Sequence, residues 1–230
     1  MPSTQRRRSA TRKGRPVLTR TGIAAKALEI AGAQGFPAVT MRTLSAELGV
    51  TVRALYNYVD DRAEVIDLAV EAMLAEWEVP DLESGNWEES VAAYAAGMRA
   101  LYRRHPRALL VSLDETASPA AIHPNRLMNP DRFLGLLRAI GLTPVAAIAT
   151  HRQLSLLLFS FALLVDYPAD REGRTLIDSS PVPATWLDAH ADLPLPHLTE
   201  AAQAAPTSVD AQFDELVATV VGRVRSQLPS

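Results

Sequence analysis

The sequence predicts an all-α fold with a small N-terminal domain of three helices and a larger helical body. Apolar residues recur at helical spacing along most of the chain, and Gly, Pro and Asn signals separate segments of helix length. The charge is divided as well. Residues 1–62 carry 11 Lys/Arg against 4 Asp/Glu (+7), and residues 63–230 carry 12 against 22 (−10), which together give the net charge of −3. This asymmetry suggests a nucleic-acid-binding head on an acidic body.

Residues 1–18 form a basic arm that we expect to be disordered. The arm contains no acidic residue, and such an arm can follow phosphates or enter the minor groove beside a recognition helix. The candidate DNA contacts here are Arg6, Arg7, Arg8, Arg12, Lys13 and Arg15. The alternative is a solubilising tail that never meets DNA.

Residues 19–62 are predicted to form the DNA-binding domain. A first helix follows Thr21 and ends at Gly35, where glycine suits the left-handed C′ position. Thr40 is a good N-cap for a second helix that stops at Gly49, and Thr51 is a good N-cap for a third. Two helices joined by a tight glycine turn form a helix-turn-helix, whose second helix enters the major groove.

The third helix carries side chains suited to DNA. With Leu55 and Val59 turned inward, the rest of its surface is free, and Arg53 can fork onto a guanine while tyrosine hydroxyls contact phosphates. Either Tyr56 or Tyr58 could instead belong to the core, because a tyrosine can bury its ring while its hydroxyl finds a partner. The predicted contacts of the domain are Thr40, Arg42, Thr51, Val52, Arg53, Tyr56, Asn57, Tyr58 and Arg62.

Residues 63–230 are predicted to form a helical body for effector binding and dimerisation, entered by a connecting helix over 63–79. Asp61 with Glu64 resembles a capping box at the start of that helix. Further helices are expected from Asn86, after Pro106, near Arg132–Ala139, over Thr143–Val165 and over Val209–Leu228. Residues 114–127 and 167–206 are proline-rich and predicted to be loops, with one helical turn near Trp186.

The two most apolar helices, Thr143–Val165 and Val209–Leu228, exceed what one body needs for its core. We therefore expect the stripes at Leu154–Val165 and Phe213–Leu228 to be buried between two copies of the chain, although packing within one chain is the alternative. The apolar run Leu154–Val165 is too short to span a bilayer. The basic start lacks the apolar region of a secretory signal, so we expect a cytoplasmic protein without a membrane partner.

The head resembles the DNA-binding domain of the TetR family of bacterial repressors. The matching features are Gly35-Phe36, Val39-Thr40-Met41-Arg42, Leu48-Gly49-Val50, Leu55-Tyr56 and the charged turn that leads into a long helix. Arg62 stands where the family usually has lysine. The resemblance implies a homodimer, in which the penultimate long helix and the final helix pair with their copies to form a four-helix interface. It also implies that the helix-turn-helix heads of the dimer bind a palindromic operator, and that a small-molecule effector releases it. The stretch His123–Pro144 is weakly similar to the tetracycline-repressor type of body.

Several side chains of the body could line an effector cavity, although such a stripe is more often ordinary core. The candidates are Tyr94, Met98, Tyr102, His105, His123, Phe133, His151 and Phe161. The tetracycline-repressor type uses a histidine near this loop for a metal-chelated drug, and His123 and Arg126 could fill such roles. The spacing to the next helix does not match that type, so we expect no metal site here. Asp188, His190, Asp192 and His197 could suggest metal ligands, yet a solvated proline-rich loop is the simpler interpretation.

The sequence predicts no catalytic residue, metal or cofactor, since no P-loop, dinucleotide fingerprint, G-x-S-x-G or H-E-x-x-H motif is present. Three hypotheses follow for the function. The first is a ligand-responsive repressor, the second is an activator or architectural DNA binder without a ligand, and the third is a helical enzyme with a fortuitous helix-turn-helix. Duplex binding with a steep salt dependence excludes the third, and release by a small molecule separates the first two.

Overall fold

A computed structural model describes residues 11–12, 15–16, 18–111, 115, 119, 122–177 and 182–229 of the chain. The chain divides into two compact units. The first unit is Met1–Glu76 with Arg107–Pro124, and the second is Trp77–Pro106 with Asn125–Ser230. The predicted boundary at residue 62 is therefore displaced, because the connecting helix and the segment after Pro106 pack with the head.

The first unit is helical apart from one short pair of strands. Its elements are β1 (Thr11–Arg12), β2 (Arg15–Pro16), α1 (Arg20–Gln34), a 3-10 turn (Phe36–Ala38), α2 (Met41–Glu47), α3 (Val52–Leu55), α4 (Arg62–Ala75) and a second 3-10 turn (Ala108–Leu110). β1 and β2 are antiparallel and separated by only two residues. Both strands lie in the predicted basic arm, whose disorder stays a prediction.

The ends of α1 follow from local chemistry. The hydroxyl of Thr19 accepts a hydrogen bond from the Gly22 N–H at 3.0 Å and caps the helix, which begins at Arg20 and therefore before Thr21, which the helix was predicted to follow. At the other end Gly35 has φ 87°, and its N–H donates to the Ala31 carbonyl at 2.8 Å. Phe36 is then fully buried in the core of this unit.

Helix α4 packs along α1, which is why it belongs to the head. Asp61 caps it by accepting from the Glu64 N–H at 2.9 Å, and the Glu64 carboxylate accepts from the Asp60 N–H at 2.5 Å. These are the two reciprocal bonds of a capping box, with the second displaced by one residue. The buried face of α4 consists of Val65, Ile66, Ala69, Val70, Met73 and Leu74. These residues are apolar, so α4 contributes to a core rather than merely connecting two domains.

The second unit is also mostly helical. Its elements are a 3-10 turn (Ser84–Asn86), α5 (Trp87–Arg104), α6 (Asn125–Ala139), α7 (Pro144–Phe161), a π turn (Ala162–Asp166), α8 (Tyr167–Glu172), β3 (Leu176–Ile177), α9 (Ala184–Ala189), α10 (Pro196–Ala201), β4 (Thr207–Ser208) and α11 (Val209–Gln227). β3 and β4 are antiparallel. The predicted turn near Trp186 is confirmed as α9.

The long apolar helix continues further than predicted. Thr143 caps α7 as expected, by accepting from the Ala146 N–H at 3.2 Å, but the helix runs through the π turn into α8 and ends at Gly173 with φ 64°. Pro168 suggests an earlier end, because a proline lacks an N–H and its ring clashes with a carbonyl four residues before it. The wider π turn just before Pro168 accommodates that ring and lets the helix continue.

Helix α6 begins earlier than the predicted start near Arg132. Its first turns are held by tertiary contacts, since the side-chain amides of Asn129 and Asn125 donate to the Trp77 carbonyl at 2.7 and 3.3 Å. Pro130 lies inside this helix. The sequence pattern placed the boundary after the proline, whereas the contacts with Trp77 hold the preceding turn in place.

The stripe on α11 packs within its own chain. Its members Phe213, Val217, Val220 and Val224 are all buried in the single subunit. The expectation that Phe213–Leu228 is buried between subunits is wrong for these residues, because α11 contacts α5 and α7 of the same unit. On α7 the outcome is mixed, since Leu154 and Leu158 are buried while Leu156 is 64% exposed.

One helix among the described residues, Pro144–Glu172, is long and apolar enough to cross a bilayer by length and composition alone. A single such helix is weak evidence, because the core helix of a soluble protein has the same composition. Charged residues also lie within its last two turns, where Asp166 is fully buried in the protein.

Candidate DNA-binding surface and effector site

The helix-turn-helix consists of α2, a turn at Gly49 and α3. Thr40 caps α2 by accepting from the Thr43 N–H at 3.0 Å, and Thr51 caps α3 by accepting from the Ala54 N–H at 3.2 Å. Gly49 has φ 64°, a conformation that side-chain-bearing residues rarely adopt. Leu44 and Leu55 are fully buried and hold the two helices together.

The predicted contact residues of α3 form one exposed surface. Tyr56 is 52% exposed and Tyr58 is 37% exposed, so neither tyrosine belongs to the core. Thr51, Arg53 and Asn57 are exposed too, and Val52 is half-buried. The regular helix ends at Leu55, with the tyrosines in the turn that follows. The Thr51 hydroxyl accepts a hydrogen bond from the Ala54 N–H, and it can still donate its own proton to a phosphate.

Helix α2 contributes the second part of this surface. Thr40 and Arg42 are exposed at its N-terminus, where the free N–H groups and the helix dipole attract phosphates. Of the predicted arm residues, Arg6, Arg7, Arg8 and Lys13 lie outside the described residues, and only the backbone is described at Arg12 and Arg15.

Arg62 was predicted to contact DNA, but its side chain forms hydrogen bonds within the first unit instead. Its Nε donates to the Val39 carbonyl at 2.7 Å and its Nη2 to the Phe36 carbonyl at 2.9 Å. The guanidinium also forks onto Glu115, at 2.5 and 3.1 Å. The hydrogen bond with Glu115 raises the pKa of Arg62. Because its donors are bonded within the protein, Arg62 links parts of the first unit and is not free to contact a phosphate.

Arg20 is a residue of this surface that sequence reasoning missed. Its Nη1 donates to the Tyr58 carbonyl at 2.5 Å, and its Nη2 forms a salt bridge with Glu64. The hydrogen bond from the Asp60 N–H lowers the pKa of Glu64 most, and the hydrogen bond from Arg20 lowers it further. Arg20 thereby ties the turn after α3 to the start of α4. The contact joins residues 38 positions apart, so no local pattern reveals it.

In the second unit, an aromatic cluster brings together three of the predicted effector residues. Tyr94 is fully buried and stacks on Phe133 with ring centroids 4.1 Å apart, and its hydroxyl lies 3.3 Å from His151 Nε2. The ring of Trp77, which sequence reasoning did not select, lies 6.1 Å from Tyr94. Burial raises the pKa of Tyr94 and lowers the pKa of His151. Both groups are therefore uncharged near neutral pH.

The other predicted effector residues do not join this cluster through ring contacts. Met98 is buried on α5, and Tyr102 meets Phe159 edge-on at 6.5 Å. Phe161 instead lies 5.8 Å from Phe213, in a separate cluster. His105 ends α5, whereas His123 belongs to the first unit.

Among the described residues, no group of three or more His, Cys, Asp or Glu side chains is arranged to hold a metal ion. Asp188 and His190 instead line an open groove of about 390 Å³ beside α9 and α10.

Two family models match the chain. The model of the bacterial regulatory proteins of the tetR family matches residues 23–68, which contain the helix-turn-helix. The tetracyclin repressor-like C-terminal domain matches residues 79–220, more than half of the chain. The chain belongs to the TetR family. The all-α fold and the N-terminal helix-turn-helix predicted from sequence are thereby confirmed.

Two curated relatives in this family match part of their length. The HTH-type transcriptional repressor DrrR1 of Streptomyces coeruleorubidus is 31% identical over 169 residues, which are 73% of this chain and 61% of DrrR1. An HTH-type transcriptional regulator of Saccharopolyspora erythraea is 33% identical over 110 residues, which are 47% of this chain and 46% of that protein. The chain thus spans less than two thirds of either relative.

A solved structure is similar over almost its whole length. The TetR family protein ActR of Streptomyces coelicolor, in complex with actinorhodin, has a TM-score of 0.66 at 26% identity. The match covers 91% of this chain and 98% of ActR. The body of this TetR family chain therefore has the fold of a regulator solved with a small molecule bound.

Proposed function

We propose that this TetR family protein is a transcriptional repressor that binds a palindromic operator as a homodimer in the cytoplasm and releases it on binding a small-molecule effector. The observation that carries the proposal is the exposed surface of α2 and α3 on a matched TetR-family head. There Arg53, Tyr56 and Tyr58 are free to meet a duplex while the core residues of α3 face inward. A relative is named a repressor, which favours repression over activation.

The proposed effector site is the cluster of Tyr94, Phe133 and His151. It combines a buried aromatic surface with a few polar groups, the combination typical of small-molecule sites. The ActR complex with actinorhodin supports a ligand in a body of this fold. An effector can release DNA only if its affinities for the two conformations differ.

The homodimer is proposed from an exposed apolar surface on α7 and the π turn that follows it. Val145 is 78% exposed and Ile148 is 50% exposed, and Leu156 and Leu164 are exposed to 64% and 75%. The first three recur at spacings that place them on one side of the helix. These exposed apolar side chains favour an interface, which would also contain the exposed Arg152 between Ile148 and Leu156. A twofold protein matches a palindromic operator.

The operator test uses the DNA that flanks the gene for this protein. Footprinting should reveal a protected inverted repeat. Arg53→Ala should cost about 1–3 kcal/mol on that repeat and much less on scrambled duplex, because a lost base contact removes discrimination. Equal losses on both duplexes would make Arg53 a phosphate contact. Absence of any protected repeat, with only weak binding to every duplex, would contradict the repressor function.

A second measurement on the same DNA tests the arm. Each phosphate neutralised contributes about 0.9 to the slope of log K against log salt. Deleting residues 1–15 should lower that slope by about one unit for each lost contact, on operator and scrambled duplex alike. An unchanged slope would leave the arm as a tail that does not meet DNA. Release of the operator by a small molecule then distinguishes this function from an activator or architectural protein without a ligand.

A further inference from the structure

Arg126 lies on the face of α6 that meets the aromatic cluster. Residues 126, 129 and 133 are three and seven positions apart, so they share one side of the helix. The other two members show where that side points. Asn129 donates to the Trp77 carbonyl at 2.7 Å, and Phe133 stacks on Tyr94 at 4.1 Å. The guanidinium of Arg126 is therefore carried at the edge of the cluster, two turns from Phe133.

Arg126 is exposed and forms no hydrogen bond or ion pair with any described residue. Three other arginines of this unit illustrate pairing with carboxylates. Arg99 forks onto Asp166, Arg103 contacts Asp170 at 2.5 Å, and Arg132 contacts Asp81 at 3.1 Å. An arginine fork without a carboxylate is a ready partner for an anionic oxygen from outside the chain.

The electrostatics of the cluster agree with this geometry. Burial is the largest influence on the pKa values of Tyr94, Tyr102 and His151. The positive charge of Arg126 is a smaller influence, and it lowers the pKa of each. Its field therefore acts on the aromatic residues rather than only on solvent. Because Tyr94 and His151 are themselves neutral, Arg126 supplies positive charge that the described cluster does not offset.

The same region contains buried polar atoms without partners. The Trp77 Nε1 and Thr150 Oγ1 atoms are buried and form no hydrogen bond within the described part of the chain. Trp77 contacts the cluster through Tyr94, and Thr150 adjoins His151 on α7. An unpaired buried polar group is costly, so a ligand that supplies its partner gains affinity.

We propose that the effector is an aromatic acid, whose ring lies against the Tyr94–Phe133 stack and whose ionised oxygen pairs with Arg126. The proposal rests on the proposed function, since it specifies the ligand of the same site. The aromatic part follows from the rings already stacked there, and the acidic part from the unpaired guanidinium. The unpaired Trp77 N–H is an additional donor for a second ligand oxygen.

Two fluorescent probes with the same skeleton test the charge requirement. 8-Anilinonaphthalene-1-sulfonate carries a negative sulfonate, and N-phenyl-1-naphthylamine lacks it. On the intact protein, the sulfonate should bind tighter than the neutral amine. Arg126→Gln should weaken binding of the sulfonate about tenfold and leave the neutral amine unchanged, because only the charge-assisted pair is removed. Arg126→Lys should keep most of the sulfonate affinity.

The control is Arg171→Gln, which removes the same charge from an exposed site in the same unit and should change neither affinity. Phe133→Leu tests the aromatic part, with thermal unfolding used to verify the fold, and should weaken both probes. Equal sulfonate affinities of Arg126→Gln and the parent protein would overturn the proposal. So would a neutral amine that binds the parent as tightly as the sulfonate does, or an unchanged affinity of both probes for Phe133→Leu.

Operator binding separates this inference from the proposed function. A protein that binds its operator but shows no dependence on Arg126 remains a repressor candidate with a different effector class. A protein that binds the sulfonate through Arg126 but protects no inverted repeat retains the acid site and loses the repressor function. If both hold, the sulfonate should also release the operator from the parent protein at lower concentrations than from Arg126→Gln.

Discussion

Arg62 concentrates several interactions of the head in one side chain. It joins the carbonyls of Phe36 and Val39, at the start and end of the turn after α1, to Glu115 in the segment after Pro106. Lysine cannot reproduce this arrangement, because an ammonium lacks the planar fork that serves a carboxylate and two carbonyls together. The arginine at this position therefore ties two parts of the first unit that are far apart in sequence.

The ion pair between Arg62 and Glu115 predicts coupled losses of stability. Arg62→Met and Glu115→Gln should each destabilise the protein, and the double variant should lose less than the sum of the two, with a coupling of about 0.5–3 kcal/mol. Each single change leaves a partly buried partner without its bond, whereas the double change removes the pair. Urea unfolding at one fixed protein concentration measures the cycle. Strictly additive losses would show that the pair contributes no coupling.

His151 predicts a pH dependence of stability. Burial, followed by the charge of Arg126, lowers its pKa from 6.5. Below about pH 6.5 the unfolded chain takes up a proton that the folded protein does not bind, so the free energy of unfolding falls as the pH falls through this range. In His151→Gln this contribution disappears.

The measurement is urea unfolding at pH 7.5 and 5.5, with protein concentration held constant. His151→Gln should lose less stability between the two values than the parent does. The exposed His197 on α10 gives a matched control, since His197→Gln should behave as the parent. An identical loss in parent and His151→Gln would show that His151 does not contribute to the pH dependence.

At the scale of elements, one ion cluster joins α5, the π turn and α11. Arg99 forks onto the fully buried Asp166 at 2.6 and 2.9 Å and donates to Asp210 at 2.9 Å. Its guanidinium also lies 4.4 Å from the Phe213 ring centroid and 5.2 Å from that of Phe161. The π turn carries Asp166 into this position, so a local irregularity of the helix serves a tertiary contact.

Breaking this cluster should have very different costs at its two carboxylates. Arg99→Met removes the bidentate partner of a buried carboxylate, whose other ion pair is Arg103 at 3.8 Å, and should destabilise the protein by about 3–5 kcal/mol. Asp210→Asn alters a side chain that is 79% exposed and should cost less than about 1 kcal/mol. Urea unfolding of both variants measures the two losses of stability. Equal small losses would show that the buried pair does not stabilise the fold.

At the scale of the whole molecule, the exposed side of α7 predicts the assembly. Leu156→Glu with Leu164→Glu places like charges in the proposed interface and should give monomers by analytical ultracentrifugation, together with weakened operator binding. Leu193→Glu is the control, because Leu193 is also exposed, to 49%, but lines the groove beside α9 and α10. A double variant that remains dimeric, or a control that dissociates equally, would place the interface elsewhere.

The sequence alone determined the class of the fold, the family and most helix positions. These depend on local chemistry, and the caps at Thr40, Thr51 and Thr143 and the glycine at Gly35 act within a few residues of themselves. The exposure of the α3 side chains also followed, because two inward residues at helical spacing leave the others outward. The sequence did not settle whether Tyr56 or Tyr58 was buried, since a tyrosine suits either environment.

Only the tertiary structure decided the rest. Arg62 looked like a phosphate contact until its partners, up to 53 residues away, were in view. The α11 stripe looked like an interface because periodicity shows that a face is buried but not which chain buries it. Trp77 joined the aromatic cluster, and Arg126 was left without a carboxylate partner among the described residues, through contacts between distant helices. Helical patterns depend on neighbours in sequence, whereas ion pairs, ring stacks and unpaired charges depend on which elements meet in space.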